Sequence, residues 1–284
     1  MTSGTRCVQL LAIIFLFSIP LLAQTQPSDP PAGFNKIEQM VPMRDGVKLH
    51  TIIYAPKSHR DALPILFNRT PYGIDNIYRG FAGGSLQELI DEGFIFAFQD
   101  IRGKFKSEGQ FLMQRPPRGP LNSTPIDEGT DTYDTIDWMI KNVPHNNGRV
   151  GMFGTSYPGW LVVMAVIDPH PALKAVTELA TPADMFLGDD FHHNGAFRLS
   201  YGFEYAYELE TSNVLTNFKF DRYDTYQWYL KLGALSNADA KYFHGKLPTW
   251  NNFVSHPNYD QFWQQQALVN QLKKVTVPIM HVAG

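Results

Sequence analysis

Cysteine is almost missing from this chain: Cys7 is the only one in 284 residues. Excess charge of either sign is missing too, since 24 Lys and Arg face 27 Asp and Glu for a formal net charge of −3. That balance offers no charge excess pointing to nucleic acid or to an anionic membrane surface, and neither is expected as a partner. Internal repeats and low-complexity tracts do not occur. Apolar runs long enough to span a bilayer, about twenty residues, are lacking as well. The longest apolar stretch, Val8 to Leu22, covers fifteen residues, follows Arg6, and ends on Leu21-Leu22-Ala23 before Gln24. It reads as a secretory signal peptide with cleavage after Ala23. The expected location is therefore secreted or periplasmic, with no membrane association once the segment is removed. Cleavage also removes Cys7, so the mature chain is expected to have no disulfide, no cysteine nucleophile and no thiolate metal site. No metal and no other cofactor is expected.

What is present is an ordinary globular composition, 44% hydrophobic, in a length that suits one large domain with an insertion. Residues 24–36 open with a Pro-rich polar leader. Ile37–Met43 and Val47–Tyr54 alternate as strands around Arg44-Asp45-Gly46, a hairpin signal. Leu63–Arg69, Phe94–Phe98, Val150–Phe153, Leu173–Thr177 and Val275–Val282 read as further strands. Helix patterns cover Ser85–Asp91, stopped by Gly93, then Asp131–Lys141, with Asp131 as its cap, and Tyr157–Ile167. Strands alternating with helices predict an α/β fold, a mostly parallel sheet with helices on both faces. The core is expected over 37–180 and again over 275–284. Between them, 181–274 is rich in aromatics, with helix-like stretches at Tyr223–Leu232, Asn237–Phe243 and Tyr259–Leu268, and reads as a helical cap insertion.

The densest signal is Arg149-Val150-Gly151-Met152-Phe153 running into Gly154-Thr155-Ser156-Tyr157-Pro158-Gly159 and then an apolar helix. A strand, a tight turn through serine and an immediate helix make the pattern of a nucleophile elbow. The second glycine sits one place later than in Gly-x-Ser-x-Gly, with Pro158 taking its position. Proline suits a first helical turn, where its missing N–H would have no partner. The first N–H groups of that helix are free to stabilise an oxyanion, and the one following the serine belongs to Tyr157.

Four segments in order carry a family likeness: Pro42-Met43-Arg44-Asp45-Gly46-Val47-Lys48-Leu49, Arg69-Thr70-Pro71-Tyr72-Gly73, Asp100-Ile101-Arg102-Gly103 and the elbow. Together they resemble the cocaine esterase and X-Pro dipeptidyl-peptidase group of serine hydrolases. The segment Leu187-Gly188-Asp189-Asp190-Phe191-His192-His193 resembles most the α-amino acid ester hydrolases within it. The resemblance implies an α/β-hydrolase fold and an acyl-enzyme on Ser156, acting on α-amino acid esters or amides of the β-lactam acyl type. It implies that the Tyr72 hydroxyl joins the Tyr157 N–H in the oxyanion hole. It further implies that Asp190, with Asp189 beside it, helps hold the substrate's α-ammonium group. The chain order Ser, Asp, His places the acid and base beyond Gly284, so the chain is expected to be C-terminally truncated. The partner is a small ester or amide, and a homo-oligomer is possible.

Alternatives on the same fold are a glutaryl-type cephalosporin acylase, a simple carboxylesterase or an X-Pro dipeptidyl-peptidase. Outside enzymes, the alternative is an inactive truncated binding protein. His192 and His193 are adjacent and point in different directions, which makes a poor two-ligand metal site, and they come too soon after the serine to fit as its base; both are expected to be structural or pocket-lining. Asp100 and Arg102 are expected as a structural ion pair. His281 is expected within the last strand, and His145, His170, His244 and His256 at the surface or as caps. Tyr201, Tyr205, Tyr207, Trp228 and Trp250 read first as packed core.

Overall fold

The computed structural model describes residues 32–59, 61–77, 84, 86–188 and 190–283. The signal segment 1–23, most of the leader and Asp189 fall outside the described residues. A seven-stranded sheet carries the chain. Its strands are β1 (Phe34–Pro42), β2 (Lys48–Pro56), β3 (Leu63–Thr70), β4 (Ile95–Asp100), β5 (Asn146–Thr155), β6 (Leu173–Leu179) and, last along the chain, β9 (Ile279–Val282). In space the order is β1-β2-β4-β3-β5-β6-β9. The first two pairings are antiparallel and the remaining four parallel. The sheet is therefore mostly parallel after an opening hairpin, and all its parallel strands end on one edge, where ligand sites gather in such sheets.

Pattern explains the layers. β4 is buried along its whole length, as a central strand covered on both faces must be. Its alternate residues divide between two clusters: Ile95 and Ala97 face the main core with Ile53, Ile65 and Phe67, while Phe96 and Phe98 face a smaller one with Phe34, Ile52 and Tyr54. Helix α1 (Gln87–Glu92) ends on Gly93, left-handed at φ 86°, and its Leu89 and Ile90 pack on the smaller cluster. On the main side lie α2 (Glu128–Asn142) and α3 (Tyr157–Ile167). All of Tyr157–Val166 is buried, so α3 runs through the core rather than along its surface. The two helices meet closely at Gly129, where a Cβ would stand 2.7 Å from the Met164 carbonyl oxygen.

The cap of α2 corrects the sequence reading. Asp127, not Asp131, is the N-cap, accepting from the Thr130 N–H at 2.8 Å while the Thr130 hydroxyl accepts from the Asp127 N–H. Asp131 lies one turn further in, buried, and its carboxylate is held by Arg102.

After β6 the chain leaves the sheet and returns at β9. Between them lie the short hairpin β7 (His192–His193) and β8 (Ala196–Phe197) and the helices α4 (Leu199–Glu210), α5 (Thr225–Leu232), α6 (Ser236–Ala238), α7 (Pro248–Ser255) and α8 (Gln261–Gln266). Their aromatic faces, including Phe203, Trp228, Trp250, Phe253 and Trp263, join the same buried cluster as α3, together with Phe243 from the turn after α6. The last strand is shorter than Val275–Val282: the Val275 N–H turns back to the Leu272 carbonyl, and only Ile279–Val282 pair with β6.

Candidate active site

Ser156 stands between the end of β5 and the start of α3 with φ 62° and ψ −124°. A residue other than glycine in that region stores strain of about 1–3 kcal/mol, and must be held there by its surroundings. Two backbone bonds do so: the Ser156 N–H donates to the Leu179 carbonyl at 2.8 Å, and its own carbonyl accepts from Trp160 at 3.0 Å. The flanking glycines make the turn sterically possible. A Cβ on Gly154 would lie 2.2 Å from the Pro158 carbonyl oxygen, and one on Gly159 would lie 2.4 Å from Thr181 Oγ1. The displacement of the second glycine to position 159 is thus part of the turn: Pro158 occupies the first helical turn and Gly159 the close approach to β6.

Tyr157 opens α3, where a backbone N–H has no acceptor within the helix. Its side chain is buried, its ring edge-to-face with Trp160 at 5.5 Å between centroids and its hydroxyl accepting from the Gln114 N–H at 2.8 Å. Burial pushes that phenol well above its ordinary pKa, so it stays protonated.

Tyr72 follows the neighbouring strand. β3 and β5 run parallel with Phe67 opposite Met152, and the Tyr72 hydroxyl lies within electrostatic reach of the Tyr157 phenol. Asn68 Nδ2 donates across to the Phe153 carbonyl at 2.8 Å and ties the two strand ends. Beyond Thr70, the Tyr72 N–H donates to Thr70 Oγ1 at 3.1 Å, and Gly73 turns at φ 91° with the Phe105 ring where a side chain would be. The Tyr72 hydroxyl is hydrogen-bonded to that of Tyr205 on α4, oxygen to oxygen 2.7 Å. Burial raises the pKa of Tyr72, and the nearby carboxylates of Glu208 and Asp190 raise it further. The bond to Tyr205 acts in the opposite sense and lowers it.

Asp190 is exposed and pairs with Arg198 at 3.2 Å, the guanidinium lying 5.4 Å above the Tyr201 ring. The structure thus sets Ser156 and Tyr157 at the elbow, places Tyr72 in the turn that follows the adjacent strand β3, and sets Asp190 within electrostatic reach of Tyr72. Tyr205 is the residue that sequence reasoning passed over as core. Nothing in a spacing of 133 residues signals its bond to Tyr72.

The other expectations are met unevenly. Asp100 and Arg102 do not pair with each other. Asp100 binds His50 Nδ1 at 2.8 Å, whereas Arg102 forks to Asp131 at 2.7 Å and Asp45 at 2.7 Å. His170 is not at the surface: it is buried against Tyr133, and its Nδ1 accepts from the Ala172 N–H at 3.0 Å. His192 is buried, stacked 4.6 Å from Phe186 and bonded to the Met185 carbonyl at 2.9 Å, and burial lowers its pKa so that it is neutral. His281 lies in β9 and bonds Glu178, which also accepts from Thr181 beside the elbow. Among the described residues, Glu38, His50 and Asp75 are close enough for one cation. Lys106 already bridges Glu38 and Asp75, at 3.4 and 2.7 Å, and Lys36 pairs with Glu38 at 2.7 Å, so the cluster's charge is balanced from within.

A mostly parallel sheet with a strained serine between an interior strand, β5, and a buried helix defines the α/β-hydrolase class. Residues 45–284 match the X-Pro dipeptidyl-peptidase (S15) family, and the chain belongs to it. Among curated proteins it is 27% identical over 258 residues to the cocaine esterase of Rhodococcus sp. (strain MB1 Bresler), covering 86% of this chain and 42% of that protein. Among solved structures it is similar to an aminopeptidase from a marine sediment Thaumarchaeota archaeon, at 41% identity and TM-score 0.83 over 89% of this chain and 43% of that one. It is similar also to an α-amino acid ester hydrolase, at 37% identity and TM-score 0.82 over 94% and 46%. The chain spans less than half the length of each of these relatives.

Proposed function

We propose that this chain carries the nucleophile and oxyanion hole of a serine hydrolase that cleaves α-amino acid esters or amides through an acyl-enzyme. The observation that carries the reading is the strained φ 62° of Ser156 at an elbow next to β3, which ends at Thr70 two residues before Tyr72. Ser156 Oγ attacks the substrate carbonyl while its proton passes to a general base. The chain order Ser, Asp, His expected of such an elbow puts the acid and base C-terminal to Ser156. The carbonyl oxygen becomes an oxyanion and takes hydrogen bonds from the Tyr157 N–H and the Tyr72 hydroxyl. Collapse expels the alcohol or amine, which leaves with a proton from the base, and water then releases the acid from Ser156 by the same path.

Asp190 supplies negative charge for an α-ammonium group, helped by Glu208, which acts on the same Tyr72 hydroxyl. The names of two relatives, an α-amino acid ester hydrolase and an aminopeptidase, support a substrate with a free α-amino group. An anionic glutaryl chain would be repelled at the same place, which disfavours the acylase alternative. Export by the segment ending at Ala23 belongs to the same proposal, as does a helical cap over the site built from 181–274.

The test uses the whole natural protein, alanine methyl ester as substrate and a fluorophosphonate as covalent label. Ser156→Ala is expected to lower kcat by roughly 10⁴-fold or more and to abolish labelling. Retained turnover together with retained labelling would place the nucleophile elsewhere.

A further inference from the structure

A phenol hydroxyl has one proton to donate and two lone pairs to accept with. In the Tyr72–Tyr205 pair, held at 2.7 Å, only one of the two protons lies between the oxygens. Once Tyr72 donates to an oxyanion its proton is committed, and the bond between the phenols must then be donated by Tyr205. We propose that Tyr205 is a positioning residue of the oxyanion hole, its hydroxyl donating to Tyr72 Oη and so turning the Tyr72 proton toward the oxyanion. The inference rests on Tyr72 being the second oxyanion donor.

Three observations give the pair this role rather than mere contact. The Tyr205 ring is fixed sideways, stacked on Tyr201 at 5.4 Å and 14° and tilted against buried Phe191 at 5.8 Å, so its hydroxyl has a defined place. The helix carrying it is fixed lengthways. Fully buried Lys104 reaches from the loop after β4 and donates to the carbonyls of Leu209 at 2.9 Å and Ser212 at 3.0 Å, satisfying the C-terminal end of α4 with a positive charge. That same loop holds the other partner: the Phe105 ring fills the space over Gly73, next to Tyr72, while the Phe105 N–H donates to the Asn213 carbonyl at 2.7 Å. One loop thus grips both the turn bearing Tyr72 and the end of the helix bearing Tyr205, and sets the separation of the two hydroxyls.

The consequence for chemistry is preorganisation. Tyr72 is half-buried at best, and without a fixed donor behind it the hydroxyl rotates about its C–O bond and shares its proton with water. Accepting from Tyr205 removes that freedom, and a hydroxyl that accepts is also a stronger donor. An electrostatic site gains most when its dipoles are already aimed before charge develops.

Tyr205→Phe removes one oxygen and keeps the ring that packs on Tyr201 and Phe191. In the whole natural protein, with alanine methyl ester, this variant is expected to lower kcat about three- to tenfold with KM and the thermal midpoint unchanged. Tyr72→Phe is expected to lower kcat on the order of 100-fold. In the double variant the Tyr205 effect should disappear, leaving the rate of Tyr72→Phe alone. An unchanged kcat in Tyr205→Phe overturns the inference, as does a loss that multiplies with that of Tyr72→Phe. Should Tyr72→Phe itself turn over at the wild-type rate, the oxyanion assignment fails first and the role of Tyr205 fails with it.

Discussion

At the scale of single residues, Asp190 faces a competition. Its carboxylate is already paired with Arg198, yet both side chains are more than half exposed, and such surface pairs contribute only about 0–1 kcal/mol. A substrate ammonium arriving beside Tyr72 can therefore displace or share Arg198 at little cost, so the pair does not argue against the binding role. Asp190→Asn is expected to lower kcat/KM for alanine methyl ester roughly tenfold or more while leaving methyl propionate, which lacks the ammonium, within about twofold. Equal losses on the two esters would remove Asp190 from recognition. Residues of this kind divide sharply in what their sequence discloses. Ser156 and Tyr157 are legible because strand, turn and helix are written consecutively around them. Asp190 gains its place only through a family likeness, and Tyr205 had no signal at all, since its partner lies across the sheet edge on another element.

At the scale of elements, the elbow is a steric object before it is a chemical one. Alanine at 154 would put a methyl 2.2 Å from the backbone oxygen of Pro158, which no side-chain movement relieves. Gly154→Ala should therefore open the turn, costing about 1–3 kcal/mol in overpacking and releasing Ser156 from its strained conformation. A fall in the thermal midpoint together with a fall in kcat is expected; a variant with native midpoint and native kcat would show that the turn tolerates widening. The same logic explains which elements the sequence hid. The core strands and α3 announce themselves by apolar pattern. Helix α4 does not, because Gly202 interrupts it as a breaker would, although in the fold that glycine admits the Phe197 ring, 2.6 Å from where a Cβ would be. Helix α7 starts at Pro248 behind Leu247, with no polar N-cap to mark it. The start of α2 was misplaced because its capping partner is a threonine, not the glutamate or glutamine of the common box.

Across the whole molecule, buried charge ties the pieces that frame the site. Arg69 on β3 is fully buried, with Nη1 3.0 Å from Glu128 of α2 and Nε 2.8 Å from Gln99 of β4. Asp131 of the same helix lies 3.7 Å from Arg69 and 2.7 Å from Arg102, which reaches on to Asp45 in the β1–β2 turn. Removing one member of such a set costs more than the set contributes, because the remaining charges stay out of water. Arg69→Met should thus destabilise the protein by about 3–5 kcal/mol in denaturant unfolding at neutral pH. The stranded group is Glu128, whose pKa burial already raises above the ordinary glutamate value, an effect that Arg69 opposes. The sign of the pH dependence follows. A carboxyl whose folded pKa exceeds its unfolded one supports stability below the unfolded value and loses that support as pH rises through the folded value. Without Arg69 the folded pKa climbs further, so the deficit of Arg69→Met should shrink as pH falls toward the unfolded glutamate pKa, where Glu128 is protonated in both states. Unfolding curves of wild type and variant across the acid range read this directly. A deficit independent of pH would mean that Glu128 is not the charge left uncompensated, and that Arg69 stabilises the sheet through Gln99, Thr132 and packing alone.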